Sequence, residues 1–405
     1  INRYFKPNYI FVCVSKCRNG HWFLTSCWRS SSVYELRRYI YGHVICNYWN
    51  YYVYQVSSTD FEKMIKLLFI FAMTIPNFVY SNDSYLDKKE VQDFIKYMYE
   101  EHNYEEKKLK QLFSKIKPNK KIKKYIKKAP ERTLTWNGCN ENDKNCTDYK
   151  QLFVTTNNIT RGVEFWNDNK KALRKAQLKY GISPEYIIAI IGIESKYGTR
   201  TGSFKTFDTL ASLSLGPNKG RRAKFYKTEL ENFLLLCREN NFNPSTLKGS
   251  YAGALGHPQF ISSSYRYYAV DFDNDNQINL WNSNQDIIGS VANYFYKHGW
   301  RSGNPILSSI ISDDIALIDS ESKKTYKPKT KYKEYKSRGL SSDIEIDSSA
   351  LLSVIGREEK SGKIYNFAHK NFYVITRYNR SRLYALAVYF LGEEIKNAKT
   401  KMERR

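Results

Sequence analysis

The stretch Ser183-Pro-Glu-Tyr-Ile-Ile-Ala-Ile-Ile-Gly-Ile-Glu-Ser-Lys-Tyr-Gly198 decides the fold, because it predicts a helix that is apolar on almost every side. Ser183 is a natural N-cap, Pro184 fits the first helical turn, and Gly198 suits the C-terminal cap. The isoleucines between these ends cover most of the circumference, and Ala189 and Gly192 would let another helix approach closely. We therefore expect this helix to be buried.

One carboxyl group, that of Glu194, falls in the last turn of this apolar helix. Burial disfavours the charged form of a carboxyl group, and the negative end of the helix dipole acts in the same direction. Both effects raise the pKa, which is what a general acid working near neutral pH requires. The alternative is a glutamate that simply reaches solvent or pairs with Lys196, and the helix alone does not decide between the two.

Composition limits the classes of protein that the chain can belong to. Its 405 residues are typical of two or three domains, or of one domain with insertions. With 41% hydrophobic and 26% charged residues, wholesale disorder is excluded. The net charge of +25 favours a polyanionic partner, which could be nucleic acid, an anionic membrane or an anionic cell-wall polymer.

Residues 64–81 have the pattern of a secretory signal peptide, with a Met, a Lys, a short apolar run, and then a Pro and a Val-x-Ser ending. We expect cleavage after Ser81 and export to the periplasm, where the basic mature chain would stay near the anionic envelope. The apolar run is too short for a transmembrane anchor. A buried core strand is the alternative interpretation. Residues 1–63 are then expected to be an upstream-translated leader.

The rest of the chain divides by pattern into four segments. Residues 82–135 alternate charged and apolar positions as surface-packed helices do, and their basic run 117–128 is interpreted as a solvated face or linker. Residues 136–302 form the second segment, and its part 160–300 carries the densest helical patterning. A small insert containing strands is expected at 303–375, and a C-terminal helix at 376–405.

Three cysteines follow the expected cleavage point. Cys139 and Cys146 are close enough in sequence for a disulfide in an oxidising compartment, and two free thiols are an equally good interpretation. Cys237 lies in an apolar run and is expected in the core.

Further motifs follow the helix in a fixed order, among them Leu247-Lys-Gly-Ser-Tyr-Ala-Gly-Ala-Leu-Gly-His-Pro-Gln-Phe260. With that helix, they resemble the membrane-bound lytic murein transglycosylase B family over roughly residues 145–391. The other matching segments are 208–214, 221–223, 271–281, 286–295, 298–300 and 371–379.

The resemblance implies a mainly α (α+β) fold, with a lysozyme-like helical core, a flanking helical domain and a small β-containing domain. It also implies an enzyme that cleaves the β-1,4 bond between MurNAc and GlcNAc in peptidoglycan, without water, and leaves a 1,6-anhydroMurNAc end. Most glycosidases need two carboxylates. No second acidic residue lies near Glu194 in the matched motifs, so Glu194 would act alone as acid and base. Peptidoglycan glycan strands are the expected partner, and other cell-wall enzymes are a further class.

The resemblance also indicates residues that would bind substrate. Side chains that would line the sugar cleft are Ser250, Gln259 and Phe260. Two arginines, Arg221 and Arg222, would meet anionic carboxylates of the substrate. Tyrosines that would wall the cleft are Tyr149, Tyr294, Tyr373 and Tyr378, with ordinary core packing as the alternative for each. The Gly256-His-Pro258 segment is interpreted as a turn, and His257 is not expected to be catalytic.

The acidic loop 271–286 is similar to the first half of an EF-hand. Asn276 replaces the usual glycine and Asn282 the usual final glutamate, and the resemblance implies that Asp286 supplies the late carboxylate with one extra residue in the loop. The expected ligands of one structural Ca²⁺ are Asp271, Asp273, Asp275, Gln277 and Asp286. A turn that holds sodium or no metal is the alternative, and no cofactor is expected for catalysis.

Three other functions compete with this one. The first is a muramidase that hydrolyses the same bond with water, and the second is an inactive peptidoglycan-binding protein. The third, a nucleic-acid-binding protein, is supported only by the charge and by no sequence motif.

Overall fold

A computed structural model describes residues 85–116, 133–140, 142–216 and 220–404, together with two strands nearer the N-terminus. The signal-peptide segment 64–81 and the basic run 117–128 lie outside the described residues. The chain forms two compact units, 1–83 and 84–405. In the first, β1 (Phe11–Lys16) pairs antiparallel with β2 (Trp22–Cys27). Everything below concerns the second unit.

Helices make up just over half of the described residues of the second unit. After a single 3-10 turn at Tyr85–Asp87, the helices are α1 Lys89–His102, α2 Glu106–Ser114, α3 Tyr149–Phe153, α4 Thr156–Asp168, α5 Lys170–Tyr180, α6 Pro184–Ser195, α7 Thr206–Ser214, α8 Arg221–Glu239, α9 Ser262–Tyr268, α10 Asn284–Lys297, α11 Ile315–Ser322, α12 Tyr332–Lys336, α13 Lys370–Tyr378 and α14 Arg382–Glu403. This confirms the expectation of a mainly helical fold.

The strands of this unit are short and form three small sheets. They are β3 Thr133–Thr135, β4 Cys146–Asp148, β5 Phe204–Lys205, β6 Lys248–Gly249, β7 Leu307–Ile311, β8 Thr330–Lys331, β9 Ser341–Ser342, β10 Leu351–Glu359 and β11 Gly362–Ala368. β3 pairs parallel with β4, and β5 pairs antiparallel with β6. The remaining five form an antiparallel sheet in the order β8-β10-β11-β7-β9, all within residues 303–375.

The predicted apolar helix is α6, and it packs against α4, α5, α10 and α14. Its isoleucines at 187, 188, 190 and 191 have no exposed surface. Such a helix buries apolar side chains all around, so it needs neighbours on every side. A separate apolar cluster, which includes Tyr335, Leu352 and Phe367, stabilises the five-stranded sheet.

The end of α6 differs from the prediction. Ser183 takes the N-cap position but makes no side-chain cap bond, and the C-cap is Lys196, two residues before the predicted Gly198. Lys196, Tyr197 and Gly198 all have positive φ angles, of 49°, 54° and 84°. The buried hydroxyl of Ser195 explains how the chain can reverse so early, because it accepts a hydrogen bond from the Gly198 amide at 3.0 Å.

This reversal folds Tyr197 back onto its own helix. A Cβ atom on Gly192 would lie 2.6 Å from the Tyr197 hydroxyl, so the small residue makes room for a tyrosine and not, as predicted, for another helix. The Tyr197 hydroxyl donates to the carbonyl oxygen of Asn158 on α4 at 2.7 Å. The C-terminal end of α6, which carries Glu194, is therefore tied to its neighbour.

Cys139 and Cys146 form a disulfide with their Cα atoms 5.6 Å apart. Of the two interpretations of this pair, the structure supports the bonded one. Cys237 is a free thiol in the core, as predicted.

We predict that Ser195→Ala lowers the free energy of unfolding by about 1–3 kcal/mol, because the amide of Gly198 loses its acceptor. Urea unfolding followed by circular dichroism measures this. Thr199→Ala is the control: its hydroxyl, in the same turn, is exposed, so its loss should cost less than about 0.5 kcal/mol. Equal losses from the two variants would contradict the role given to Ser195.

Candidate active site

The site is built around the carboxyl group of Glu194, which lies in the last turn of α6 and is only partly accessible to solvent. One of its oxygens accepts a hydrogen bond of 2.6 Å from the hydroxyl of Tyr384 on α14. Burial raises the pKa of Glu194 to about 7, and the hydrogen bond from Tyr384 acts in the opposite direction. The carboxyl group is therefore poised to hold or release a proton near neutral pH.

Two predicted tyrosines lie near this carboxyl group: α3, which begins with Tyr149, packs against α14, and the ring of Tyr378 stacks on that of Tyr384 with centroids 6.4 Å apart. The charge of Glu194 acts on the hydroxyls of both Tyr149, at the start of α3, and Tyr378, at the end of α13. Burial, with Glu194 as a second cause, raises the pKa of Tyr149 to about 12 and that of Tyr378 well above its usual value. Both tyrosines stay neutral at physiological pH, so they line the surroundings of Glu194 without adding a charge.

Phe260 and Tyr294 form a second layer behind Tyr378. Tyr294 is 7% exposed and Phe260 2% exposed, and their rings pack against that of Tyr378 with centroids 4.7 and 5.8 Å away. The hydroxyl of Tyr294 donates to the carbonyl of Arg377 at 2.6 Å. Both rings therefore support that of Tyr378, and the contact with the sugar that the resemblance implies for Phe260 and Tyr294 stays a prediction.

Ser250 and Gln259 lie in the loop that joins β6 to α9. The Ser250 hydroxyl oxygen accepts from the amides of Ala252 at 3.3 Å and Ala254 at 3.0 Å, which leaves its proton to donate elsewhere. Gln259 has a left-handed φ of 52°, and its side-chain amide donates to the carbonyls of Gly256 and Thr201. Both polar groups are held in place before any ligand arrives.

The loop also touches the tyrosine wall and the turn after α6. The Tyr378 hydroxyl donates to the carbonyl of Pro258 at 2.7 Å. The ring of His257 lies so close to Gly198 that a Cβ atom there would be 2.2 Å from it. Burial lowers the pKa of His257, so this histidine is a neutral packing residue, in line with the prediction that it is not catalytic.

The remaining predicted residues have no described contact with Glu194. Arg221 and Arg222 are exposed in the first turn of α8, next to residues 217–219, which lie outside the described part of the chain. The half-buried ring of Tyr373 lies 6.5 Å from that of Tyr326, with Lys370 and Arg377 over it.

Tyr384 is the residue that sequence reasoning missed. The sequence predicts only a C-terminal helix at 376–405 in this region, and Tyr384, near the start of α14, is 2% exposed. A buried tyrosine needs a partner for its hydroxyl, and that was the signal available in the sequence. Its partner is the carboxyl group of Glu194.

In the acidic loop, oxygen atoms of Asp271, Asp273 and Asp286 lie within 4.8 Å of one another. Asp275 is not part of this group; its carboxylate accepts from the Gln277 amide at 2.8 Å. Asp286 is fully buried and accepts from the amides of Phe272 and Asn279, while the loop residues Asn274 and Asn276 take positive φ angles. These three carboxylates could hold a hard cation.

Comparisons with known proteins agree on one family. The family model described as the transglycosylase SLT domain matches residues 87–393. Membrane-bound lytic murein transglycosylase B of Escherichia coli is 34% identical over 319 residues, which covers 79% of this chain and 86% of that protein.

Solved structures show the same fold. Soluble lytic transglycosylase SltB1 of Pseudomonas aeruginosa is 37% identical, with a TM-score of 0.71, over 77% of this chain and 99% of that one. Escherichia coli lytic transglycosylase Slt35, solved in complex with calcium, is 35% identical, with a TM-score of 0.68, over 78% and 95% of the two chains. These matches confirm the lysozyme-like helical fold.

We predict that Tyr384→Phe raises the pKa of Glu194 above about 7. The hydrogen bond from Tyr384 stabilises the charged carboxylate, and this stabilisation is lost in the variant. Carbon-13 NMR titration of glutamate-labelled protein measures this, with the Glu194 signal identified by its absence in Glu194→Gln. Tyr186→Phe is the matched control, since that tyrosine donates to Glu393 instead. A Glu194 pKa that stays constant or falls in Tyr384→Phe would refute the prediction.

Proposed function

The chain belongs to the transglycosylase SLT family and is a lytic murein transglycosylase, an enzyme that acts on peptidoglycan, and from this premise we propose that Glu194 is the single acid and base of its reaction. The observation that carries the proposal is the place of this carboxyl group in the last turn of the apolar helix α6, with the Tyr384 hydroxyl 2.6 Å away, and its pKa of about 7 agrees with that setting. The causes of this pKa are burial and the Tyr384 hydroxyl, and no other carboxylate among the described residues contributes to it.

A single carboxyl group suits a reaction in which the substrate supplies its own nucleophile. Protonated Glu194 gives its proton to the oxygen of the β-1,4 bond as the bond from C1 of MurNAc breaks, and the sugar's acetamido group stabilises the cation. The carboxylate of Glu194 then takes the proton of the C6 hydroxyl as that oxygen bonds to C1. The product is a 1,6-anhydroMurNAc end, no water is consumed, and Glu194 is again protonated. A C6 hydroxyl held near C1 makes this step unimolecular.

The groups around Glu194 fit that chemistry. The hydroxyl of Tyr384 keeps one carboxyl oxygen in place, so the proton is delivered from a fixed position. Tyr149 and Tyr378 limit the access of water to Glu194, which favours attack by the C6 hydroxyl over hydrolysis. The proton of Ser250 and the amide of Gln259 would bind sugar substituents, and Arg221 and Arg222 would meet the carboxylates of the substrate.

The competing function is a muramidase that hydrolyses the same bond by inversion. Such an enzyme needs a second carboxylate roughly 6.5–9.5 Å from the first to activate a water molecule. Among the described residues, burial and the Tyr384 hydroxyl account for the pKa of Glu194 and no second carboxylate is among its causes, which favours the transglycosylase. An inactive binding protein is disfavoured because the carboxyl group of Glu194 keeps a pKa suited to acid catalysis.

We expect digestion of purified peptidoglycan by the protein to release anhydromuropeptides, detected by mass spectrometry. Glu194→Gln should lower the rate by about a hundredfold to ten-thousandfold, the usual contribution of a general acid. Glu185→Gln is the matched control, because this carboxylate is also buried on α6 but at its other end. Products with reducing ends would identify a hydrolase, and no products from folded protein would favour the binding protein.

We also propose that the loop 271–286 holds one structural Ca²⁺. Besides the three clustered carboxylates, one buried oxygen of Asp273, Oδ1, has no hydrogen-bond partner. A buried carboxylate oxygen without a partner is costly, and a cation would satisfy it. Asp275 and Gln277 remain predicted ligands beside Asp271, Asp273 and Asp286. The ion would stabilise the join between the loop and α10, and no chemical step depends on it.

We predict that calcium stabilises the protein, by about 2.7 kcal/mol at a concentration a hundred times the dissociation constant. Differential scanning calorimetry with and without a chelator measures this. Asp273→Asn should abolish the gain, and Asp313→Asn, a change of an exposed aspartate outside the loop, should leave it intact. The calcium site would be rejected if the wild-type protein melted at the same temperature in both buffers.

We propose that the protein is exported to the periplasm and works on peptidoglycan there, near the anionic envelope. The proposal is supported by the signal-peptide pattern at 64–81 and by the disulfide, which suits an oxidising compartment. Among the described residues, no helix has the length and hydrophobicity to cross a bilayer.

A further inference from the structure

Tyr149 directly follows a cross-linked segment, residues 133–140 and 142–148, which we call the tyrosine clamp. The disulfide between Cys139 and Cys146 closes the clamp into a loop, and β3 pairs with β4 inside it. The carboxylate of Asp148, 8% exposed, accepts from the Thr135 hydroxyl at 2.8 Å and from the Cys139 amide at 2.9 Å. The residue directly before Tyr149 is therefore fixed by groups from the far side of the loop.

One carboxylate of the five-stranded sheet, that of Glu359 at the end of β10, accepts hydrogen bonds from the clamp. The indole of Trp136 donates to one of its oxygens at 3.0 Å, and the amide of Asn137 donates to the other at 2.8 Å. Arg357 donates to it at 3.2 Å, and the ammonium of Lys150 lies 3.7 Å away. Both oxygens thus act as acceptors.

The same contacts lead directly to Tyr149. The amide of Lys150, the next residue, donates to the carbonyl of Trp136 at 2.9 Å. Trp136 has no exposed surface, and its ring stacks on Phe390 of α14, the helix that carries Tyr384. Glu359 therefore contacts Trp136 and Asn137 within the clamp and Lys150 just after it. The clamp connects the sheet to α14, whose Tyr384 bonds to the carboxyl group of Glu194.

We propose that Glu359 is a positioning residue of the reaction, which acts through the tyrosine clamp and its disulfide to keep Tyr149 against Glu194. The inference rests on the proposed role of Glu194. Its consequence is chemical: if the clamp loosens, Tyr149 withdraws, water reaches Glu194, and the burial that raises the pKa of Glu194 weakens. A smaller fraction of the acid is then protonated at pH 7, although Glu359 never touches the substrate.

The test compares Glu359→Gln with the protein itself. A glutamine side chain offers one acceptor oxygen where Trp136 and Asn137 need two, so one donor loses its partner. The Glu194 pKa is measured by carbon-13 NMR titration, and kcat and KM by release of anhydromuropeptides from soluble glycan strands. We expect the pKa to fall by about one unit, which lowers the protonated fraction at pH 7 about fivefold. We also expect kcat to fall and KM to change less.

Two further variants keep the result decisive. Glu358→Gln is the matched control, since this neighbouring carboxylate is exposed, and it should leave the Glu194 pKa unchanged. Cys139→Ser combined with Cys146→Ser loosens the clamp from its other end, so its pKa shift should have the same direction. A Glu359→Gln protein that melts earlier but keeps the wild-type pKa and kcat would overturn the proposal. Absence of anhydro products from the wild-type protein would instead reject the function of Glu194 itself.

Discussion

The architecture depends on one hydrogen bond between two helices that lie far apart in sequence. The hydroxyl of Tyr384 reaches a carboxyl group that is 190 residues earlier in the chain, at the end of the most apolar helix of the protein. An isolated carboxyl group in such surroundings is costly, so it needs either a proton or a partner. Near neutral pH the carboxyl group of Glu194 can either keep its proton or lose it and accept the Tyr384 hydrogen bond. Burial raises its pKa and the tyrosine lowers it, so the two states are close in free energy.

Several elements of the fold place neutral tyrosines around this carboxyl group, and one of them, Tyr384, bonds to it. Tyr149 comes from the end of a disulfide-closed segment, Tyr378 from the helix after the small sheet, and Tyr384 from the C-terminal helix. Each has its pKa raised, so none carries a charge at neutral pH. These three helices differ in their local structure, but each places an uncharged side chain near Glu194. None of the three tyrosines brings a positive charge to the acid.

The sequence predicts the parts of this arrangement that are local. The helix of Glu194 is evident from an apolar run with marked ends, and the acidic loop is evident from its alternating aspartates. The early end of α6 was not predictable, because it depends on a hydroxyl, that of Ser195, bonded to an amide three residues later.

Contacts between distant segments were harder to predict. Phe260, Tyr294 and Tyr384 are all buried aromatic residues, and only packing decides that Tyr384 bonds to the acid while the rings of the other two pack against Tyr378. The pairing of Cys139 with Cys146 was open for the same kind of reason, since spacing alone does not determine whether two thiols meet.

The raised pKa of Glu194 has a consequence for how such a chain can evolve. The folded state holds this proton more tightly than an unfolded chain, whose carboxyl group has a pKa of 4.5. Folding stability therefore falls as the pH rises from about 4.5 to about 7, and stays reduced above that. A neutral residue at position 194 would remove this loss of folding stability at neutral pH. Mutations that stabilise the fold therefore favour replacement of the glutamate. The glutamate persists only where selection for its chemistry outweighs that drift.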